Sequence, residues 1–143
     1  MRILNTRPKA DASKLTMELK LYGHTVLEAP IIDIIFLNEG ELSFHGVQAI
    51  IVTSSNGVRG LARNTTARSI ALFAVGNATA SLAKELGFKR VKTAAGDVES
   101  LINEVTDVLA PANGALVHAA GHYVAGDLVG SLNSSGFKVK RVT

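Results

Sequence analysis

Ala49-Ile50-Ile51-Val52-Thr53-Ser54-Ser55-Asn56-Gly57 is the stretch that decides the fold. Its first four residues are apolar without a break, and three of them are β-branched. A strand with one wet face would alternate. A continuous run is what a strand covered on both faces of a parallel sheet requires. Ser54 to Gly57 then make a turn, and a helix follows to about Arg63.

The same strand–turn–helix unit recurs downstream. Ile70 to Val75 reads as a strand, Gly76 and Asn77 turn, and a helix ends near Leu86 with Gly87 as its stop. Lys89 to Ala94 is the next strand. Asp97 caps a helix whose apolar face is Val98, Leu101, Val105 and Val108. Pro111, Asn113 and Gly114 break it before the strand Ala115 to His118. Gly126 to Ser135 is helical, with Leu128, Val129 and Leu132 turned inward. Gly136 stops it, and Phe137 to Val142 is a last strand. Repeated βα units imply parallel strands with right-handed crossovers. The expected architecture is α/β: a flavodoxin-like, doubly wound, five-stranded parallel sheet.

Upstream the pattern is incomplete. Arg2 to Thr6 is extended, and Pro8 opens a helix from Lys9 to Tyr22 with Ala12, Leu15, Leu19 and Tyr22 at helical spacing. Gly23 ends it. Thr25 to Ala29 reads as a strand, and Ile31 to Leu37 as another after Pro30. Asn38 to Gly46 reads as a connector. Residues 1–37 are therefore expected to form an incomplete first lobe with a linker strand, and 38–143 a second, flavodoxin-like lobe. One helix and a small sheet cannot cover both faces of a core. More chain or a partner molecule must complete the first lobe.

Composition removes several function classes. The 143 residues include no cysteine, so disulfides, thiolate metal sites and cysteine nucleophiles are out. That suits a reducing cytosol. The formal charge is +3, and only Lys138, Lys140 and Arg141 cluster. With 5% aromatic residues and no Trp, the chain lacks the basic, aromatic-studded face of a nucleic-acid binder. No apolar run reaches the ~18–20 residues of a membrane helix, and Arg2 and Arg7 interrupt any signal-like start. The expectation is a cytoplasmic protein with no nucleic-acid or membrane partner.

Ligands of doubly wound sheets bind beyond the carboxyl ends of the strands, so the residues there are the candidates. They are Arg7 after the first strand; Thr53, Ser54 and Asn56 after the next lobe's first; Gly76, Asn77 and Thr79 after its second; and Gly121 after its fourth. Small polar residues where a helix begins leave N–H groups free to hold an anion. Ordinary capping by Ser54, Asn56 and Asn77 explains the same residues, and Arg7 suits solvent as well as an anion. His118 and His122 have a helical metal spacing, but they fall on a strand end and loop with no third ligand near. There is no Gly-x-Ser-x-Gly elbow, no Gly-x-Gly-x-x-Gly and no Gly-x-x-x-x-Gly-Lys loop. No metal and no nucleotide cofactor is expected.

Several turns together resemble one family. Thr6-Arg7-Pro8, Pro30-Ile31-Ile32, Thr53-Ser54-Ser55-Asn56-Gly57-Val58 and Val75-Gly76-Asn77-Ala78-Thr79-Ala80 are similar, in order and spacing, to uroporphyrinogen-III synthase. Gly121 with Leu128 and Leu132, and Gly136-Phe137-Lys138-Val139, extend the resemblance over essentially the whole chain. It implies two α/β lobes around a cleft, with the chain returning from lobe two to finish lobe one. It implies a lyase that takes hydroxymethylbilane, a linear tetrapyrrole with eight carboxylates, inverts the last pyrrole ring and closes the macrocycle without a cofactor. It implies substrate-binding roles for Arg7, Thr53, Ser54, Asn56, Gly76, Asn77, Thr79 and Gly121, and no obligatory general acid.

Three departures stand out. Ala120 occupies a position where many members carry Arg, with His118 or His122 as a stand-in. A tyrosine beyond the last strand and the returning half of lobe one are missing. The expectation is thus a fragment or truncated product that is poorly active alone. A complete synthase would be monomeric, and this chain would self-associate through exposed strand edges. The competing expectation is a non-catalytic, flavodoxin-like module for a small anion.

Overall fold

The computed structural model describes residues 1–38, 40–124 and 126–143; Glu39, within the expected connector, and Ala125 lie outside the described residues. The chain forms two compact units, Met1–Phe36 and Leu37–Thr143.

The smaller unit holds β1 (Arg2–Asn5), α1 (Lys9–Leu21) and β2 (Thr25–Glu28). The strands pair in parallel, Arg2 opposite Thr25 through Asn5 opposite Glu28. Pro8 precedes α1 with φ −50°, already close to helical φ. Gly23, at φ +80°, lets the chain leave the helix. The buried Asn5 side chain donates to the Ala12 carbonyl at 2.9 Å and to Thr16 Oγ1 at 3.1 Å, fastening the strand end to the helix. Little else is covered. Leu4, Met17, Leu21, Leu27, Ile31, Ile32 and Ile35 are exposed. The expected strand over Ile31 to Leu37 does not form; these residues carry no regular element. An apolar, β-branched run becomes a strand only against a partner edge and a buried face, and this one has neither among the described residues of its unit.

The larger unit is built from β3 (Val47–Val52), α2 (Ser55–Arg63), β4 (Ala71–Val75), α3 (Asn77–Glu85), β5 (Arg90–Ala94), α4 (Val98–Val108), β6 (Ala115–Ala119), α5 (Leu128–Ser134) and β7 (Val139–Val142). A short 3-10 turn at Pro111–Asn113 precedes β6. All pairings are parallel, in the order β5-β4-β3-β6-β7. This is the expected doubly wound, three-layer parallel sheet, with helices on both faces as in a flavodoxin-like lobe. Counted within the unit the order is 3-2-1-4-5, so the winding reverses between β3 and β6.

Both faces of that sheet are dry. Ile50, Val52, Leu72, Ala74, Val117 and Ala119 pack against Val58 and Leu61 of α2 and Ala80 and Ala83 of α3. Ala49, Ile51, Phe73 and Leu116 pack on the other side against Leu101 and Val105 of α4 and Leu128 and Leu132 of α5. Burial of a side chain such as Ile50 or Leu101 contributes about 1.5–3 kcal/mol, so each face contributes at least on the order of a typical net stability before chain entropy is subtracted.

Local chemistry sets the helix ends. Ser54 Oγ accepts from the Gly57 N–H at 3.1 Å, and Asp97 Oδ1 from Ser100 N–H at 2.7 Å. The latter bond holds the Asp97 carboxyl below its ordinary pKa. Helix α5 begins at Leu128, later than the expected Gly126. Gly126 sits at φ +76°, outside helical space, and Asp127 is the cap, accepting from Gly130 N–H at 2.9 Å. The Arg68 guanidinium donates to the carbonyls of Ala62 and Leu86, at 3.0 and 2.9 Å, and lies 4.7 Å from the Phe88 ring centroid. It thereby satisfies orphan carbonyls at the ends of α2 and α3 together.

Gly57 is where α2 comes closest to β6. A Cβ there would stand 2.6 Å from the Ala119 carbonyl oxygen. In an exposed helix Gly→Ala gains up to ~1 kcal/mol; here backbone must move instead. Gly57→Ala is expected to destabilise the protein by about 1–3 kcal/mol, read from urea unfolding. A more stable variant would show that the contact does not matter.

Candidate functional site

The carboxyl ends of β4, β3 and β6 lie side by side. Val52 is in register with Ala74 on one side and Ala119 on the other. The residues that follow these strands therefore share one rim, and Thr53, Ser54, Asn56, Gly76, Asn77, Thr79 and Gly121 are gathered there. Arg7 belongs to the smaller unit. It is exposed just past β1, and its N–H donates to Asn5 Oδ1 at 3.2 Å.

The rim residues differ in how they are held. Thr53 is half-buried directly after β3. Ser54 is a cap, as the plain structural reading of the sequence has it. Asn56 is not; its Oδ1 accepts from Arg59 Nη1 at 2.8 Å. Asn77 does not cap either. The cap position of α3 is Gly76, at φ +74° and ψ 156°, with no side-chain bond to the helix start. That conformation suits glycine alone, and it leaves the amides opening α3 without a side-chain acceptor. Thr79, in the first turn of α3, is 7% exposed. Gly121 is exposed in the loop after β6.

Two further side chains complete the site: His118, which the resemblance offered only as a stand-in for an Arg, and Arg141, which the sequence did not single out. His118, on β6, is level with Ile51 and with Arg141 of β7 in the sheet register. Residues level with one another in a parallel sheet point to the same face, here the α4–α5 side. His118 is 2% exposed. Its Nε2 lies 3.5 Å from Thr53 Oγ1, at the outer limit of a hydrogen bond. Its Nδ1 has no hydrogen-bond partner among the described residues. Arg141 donates through Nη2 to the carbonyls of Gly121 and His122, pinning the loop after β6. Thr53, His118, Asp127, Leu128 and Arg141 wall a cavity of about 120 Å³. It lies at the β3/β6 reversal, where ligands of doubly wound sheets bind.

Burial pushes the His118 imidazole down to about 4, and the positive charge of Arg141 pushes the same way. The ring is therefore neutral near pH 7, one nitrogen a donor and the other an acceptor. The suggestive spacing of His118 and His122 comes to nothing metallic. One is buried on a strand and the other exposed on a loop, and no group of three potential ligands gathers among the described residues. Apart from the Thr53 hydroxyl beside His118, the described rim residues set no nucleophile against a base. What the rim offers is backbone N–H groups, small hydroxyls, a neutral imidazole and the guanidinium of Arg141. These can hold and orient an anion. Arg141 was legible only as part of a basic cluster, because its role depends on β7 lying beside β6.

An unfolded histidine takes up its proton near the ordinary value of 6.5, whereas folded His118 waits until about 4. Between those values the unfolded state binds more protons, so stability rises with pH across this window. The contribution is complete above pH ~6.5 and is lost on acidification, by on the order of 2–3 kcal/mol at pH ~4. Urea midpoints measured from pH 7 to 4 should fall in the wild type and flatten in His118→Gln. A His118 imidazole resonance titrating near 6.5 would refute the assignment.

The family model described as uroporphyrinogen-III synthase HemD matches residues 13–143. No curated protein matches significantly in sequence. Among solved structures, uroporphyrinogen-III synthetase from Helicobacter pylori is similar at 16% identity and a TM-score of 0.64, over 99% of this chain and 59% of that one. Wild-type uroporphyrinogen III synthase from the extremely thermophilic bacterium Thermus thermophilus is similar at 18% identity and a TM-score of 0.52, over the same shares of each chain. At such identities the likeness speaks for the fold. This chain spans about three fifths of the length of those synthases. It has no helix long and apolar enough to cross a membrane among the described residues. The match of the family model over nearly all its length places the chain in the uroporphyrinogen-III synthase family.

Proposed function

We propose that this chain forms part of a uroporphyrinogen-III synthase, a lyase that cyclises hydroxymethylbilane with inversion of its terminal pyrrole ring and loss of water. The observation that carries the reading is the single rim at the ends of β4, β3 and β6, which gathers Thr53, Ser54, Gly76, Asn77 and Gly121. A substrate with eight carboxylates calls for many hydrogen-bond donors rather than one strong acid. The difficult part of the reaction is folding the chain end so that the right ring carbon attacks. Positioning alone can supply ~7–11 kcal/mol of such a barrier.

In this reading Thr53, Ser54, Asn56, Gly76, Asn77, Thr79, Gly121 and Arg7 bind and orient the substrate, and no residue acts as obligatory acid. Thr79, at 7% exposed, is the most covered of these residues. Residues 1–37 begin one lobe, and 38–143 form the second. The protein works in the cytoplasm, without a metal, an organic cofactor or nucleic acid. The second reading is an anion-binding module without chemistry, for which the same rim donors would serve.

Incubation with hydroxymethylbilane, followed by chromatographic separation of the uroporphyrin isomers, tests this. Type III above the spontaneous background is expected of a synthase. Type I alone, with saturable tetrapyrrole binding, would leave the binding module, and no binding at all would remove both readings.

The smaller unit bears on assembly. β1 and β2 pair only with each other among the described residues, and Leu4 and Leu27 on them are exposed. We infer that this chain self-associates through that sheet. Light scattering should give a mass that rises with concentration and falls in Leu27→Lys. A constant monomer mass would disprove it.

A further inference from the structure

We propose that the cavity walled by Thr53, His118 and Arg141 is a carboxylate subsite, sized for an acetate-like side arm of the substrate. The inference rests on the polycarboxylate reading above and assigns one arm of such a ligand to one place.

Three independent observations converge. The cavity, about 120 Å³, far exceeds the ~10–15 Å³ that a single water needs. It sits at the reversal of the sheet, between β3 and β6. And His118, 2% exposed, keeps Nδ1 without a partner among the described residues. Buried polar atoms are rarely left unpaired, and a ligand or trapped water is the usual explanation.

The donors fit a carboxylate. The Thr53 hydroxyl and His118 Nε2 lie 3.5 Å apart on the cavity wall, and according to the ring tautomer either can donate to an incoming oxygen. Arg141 commits Nη2 to two loop carbonyls, and its remaining N–H groups can meet the second oxygen. Asp127, the other charged group on the wall, opposes an anion, but its Oδ1 is occupied by Gly130 N–H. The subsite thus carries one cation, one engaged carboxylate and one neutral donor. That balance suits a single monoanionic arm rather than phosphate.

Sodium acetate is the probe, titrated into the whole chain at constant ionic strength against sodium chloride. ¹⁵N spectra follow the His118 ring and the Arg141 guanidinium. Saturable shifts of both with acetate and not chloride are expected. Binding should weaken modestly in Arg141→Lys and about tenfold or more in Arg141→Gln. Arg141 is exposed on an edge strand, so these variants keep the core intact, and amide dispersion checks that. His118→Asn gives a second, independent loss.

Absence of saturation, or equal binding in Arg141→Gln, overturns the subsite; so does a His118 ring indifferent to acetate. Should type III isomer still form while acetate fails, only the subsite falls. Should acetate bind while tetrapyrrole does not, the synthase reading falls and the subsite remains.

Discussion

A strand covered on both faces has no water to satisfy its backbone, so every N–H and C=O must find a neighbouring strand. Strand β3 lives under that constraint. Ile50 and Ile51 are both fully buried, on opposite faces of the sheet. β3 therefore takes β4 on one side and β6 on the other, both parallel. Parallel pairing demands helical crossovers, and their right-handedness sends those to the two sides onto opposite faces. The α2–α3 and α4–α5 layers and the reversal beside β3 all follow from one strand being dry on both sides.

The reversal also makes the site. On either side of it the chain leaves the sheet in opposite directions, which opens a crevice at the carboxyl ends. Thr53 closes one wall as the residue after β3. His118 and Arg141 form the other, because β6 and β7 are level there. Such an arrangement stores polar groups at the edge of an apolar core. His118 remains neutral for that reason: burial opposes its charge, and Arg141 opposes it further. Gly57 allows α2 to approach the Ala119 carbonyl of β6, while Thr53 and His118 meet because β3 and β6 are paired.

The two units differ in how far they satisfy these rules. The larger covers both faces of its sheet. The smaller has one helix on a two-stranded sheet, and its apolar residues outnumber the surfaces available to cover them. Ile31 to Leu37 shows the consequence. Its composition is that of a strand, but composition acts only when an edge and a buried face are present.

From the residues alone, the five strands and four helices of the larger unit could be read almost in full. Unbroken apolar runs, Gly stops and the Asp97 cap are local signals, and local signals report local structure. The rim could be read as well, since any residue after a parallel strand must lie at the same end. What lay beyond reach were facts of neighbourhood. Asn77 had the chemistry of a cap, but the backbone at Gly76 took that place. His118 looked like half of a metal spacing until β6 buried it, and Arg141 looked like a solvated charge until β7 paired with β6. Sequence by itself determined the period and ends of each element, because these depend on residues a few positions apart. Only the tertiary structure decided which side chains meet, because β3, β6 and β7 are remote in the chain and adjacent in the sheet.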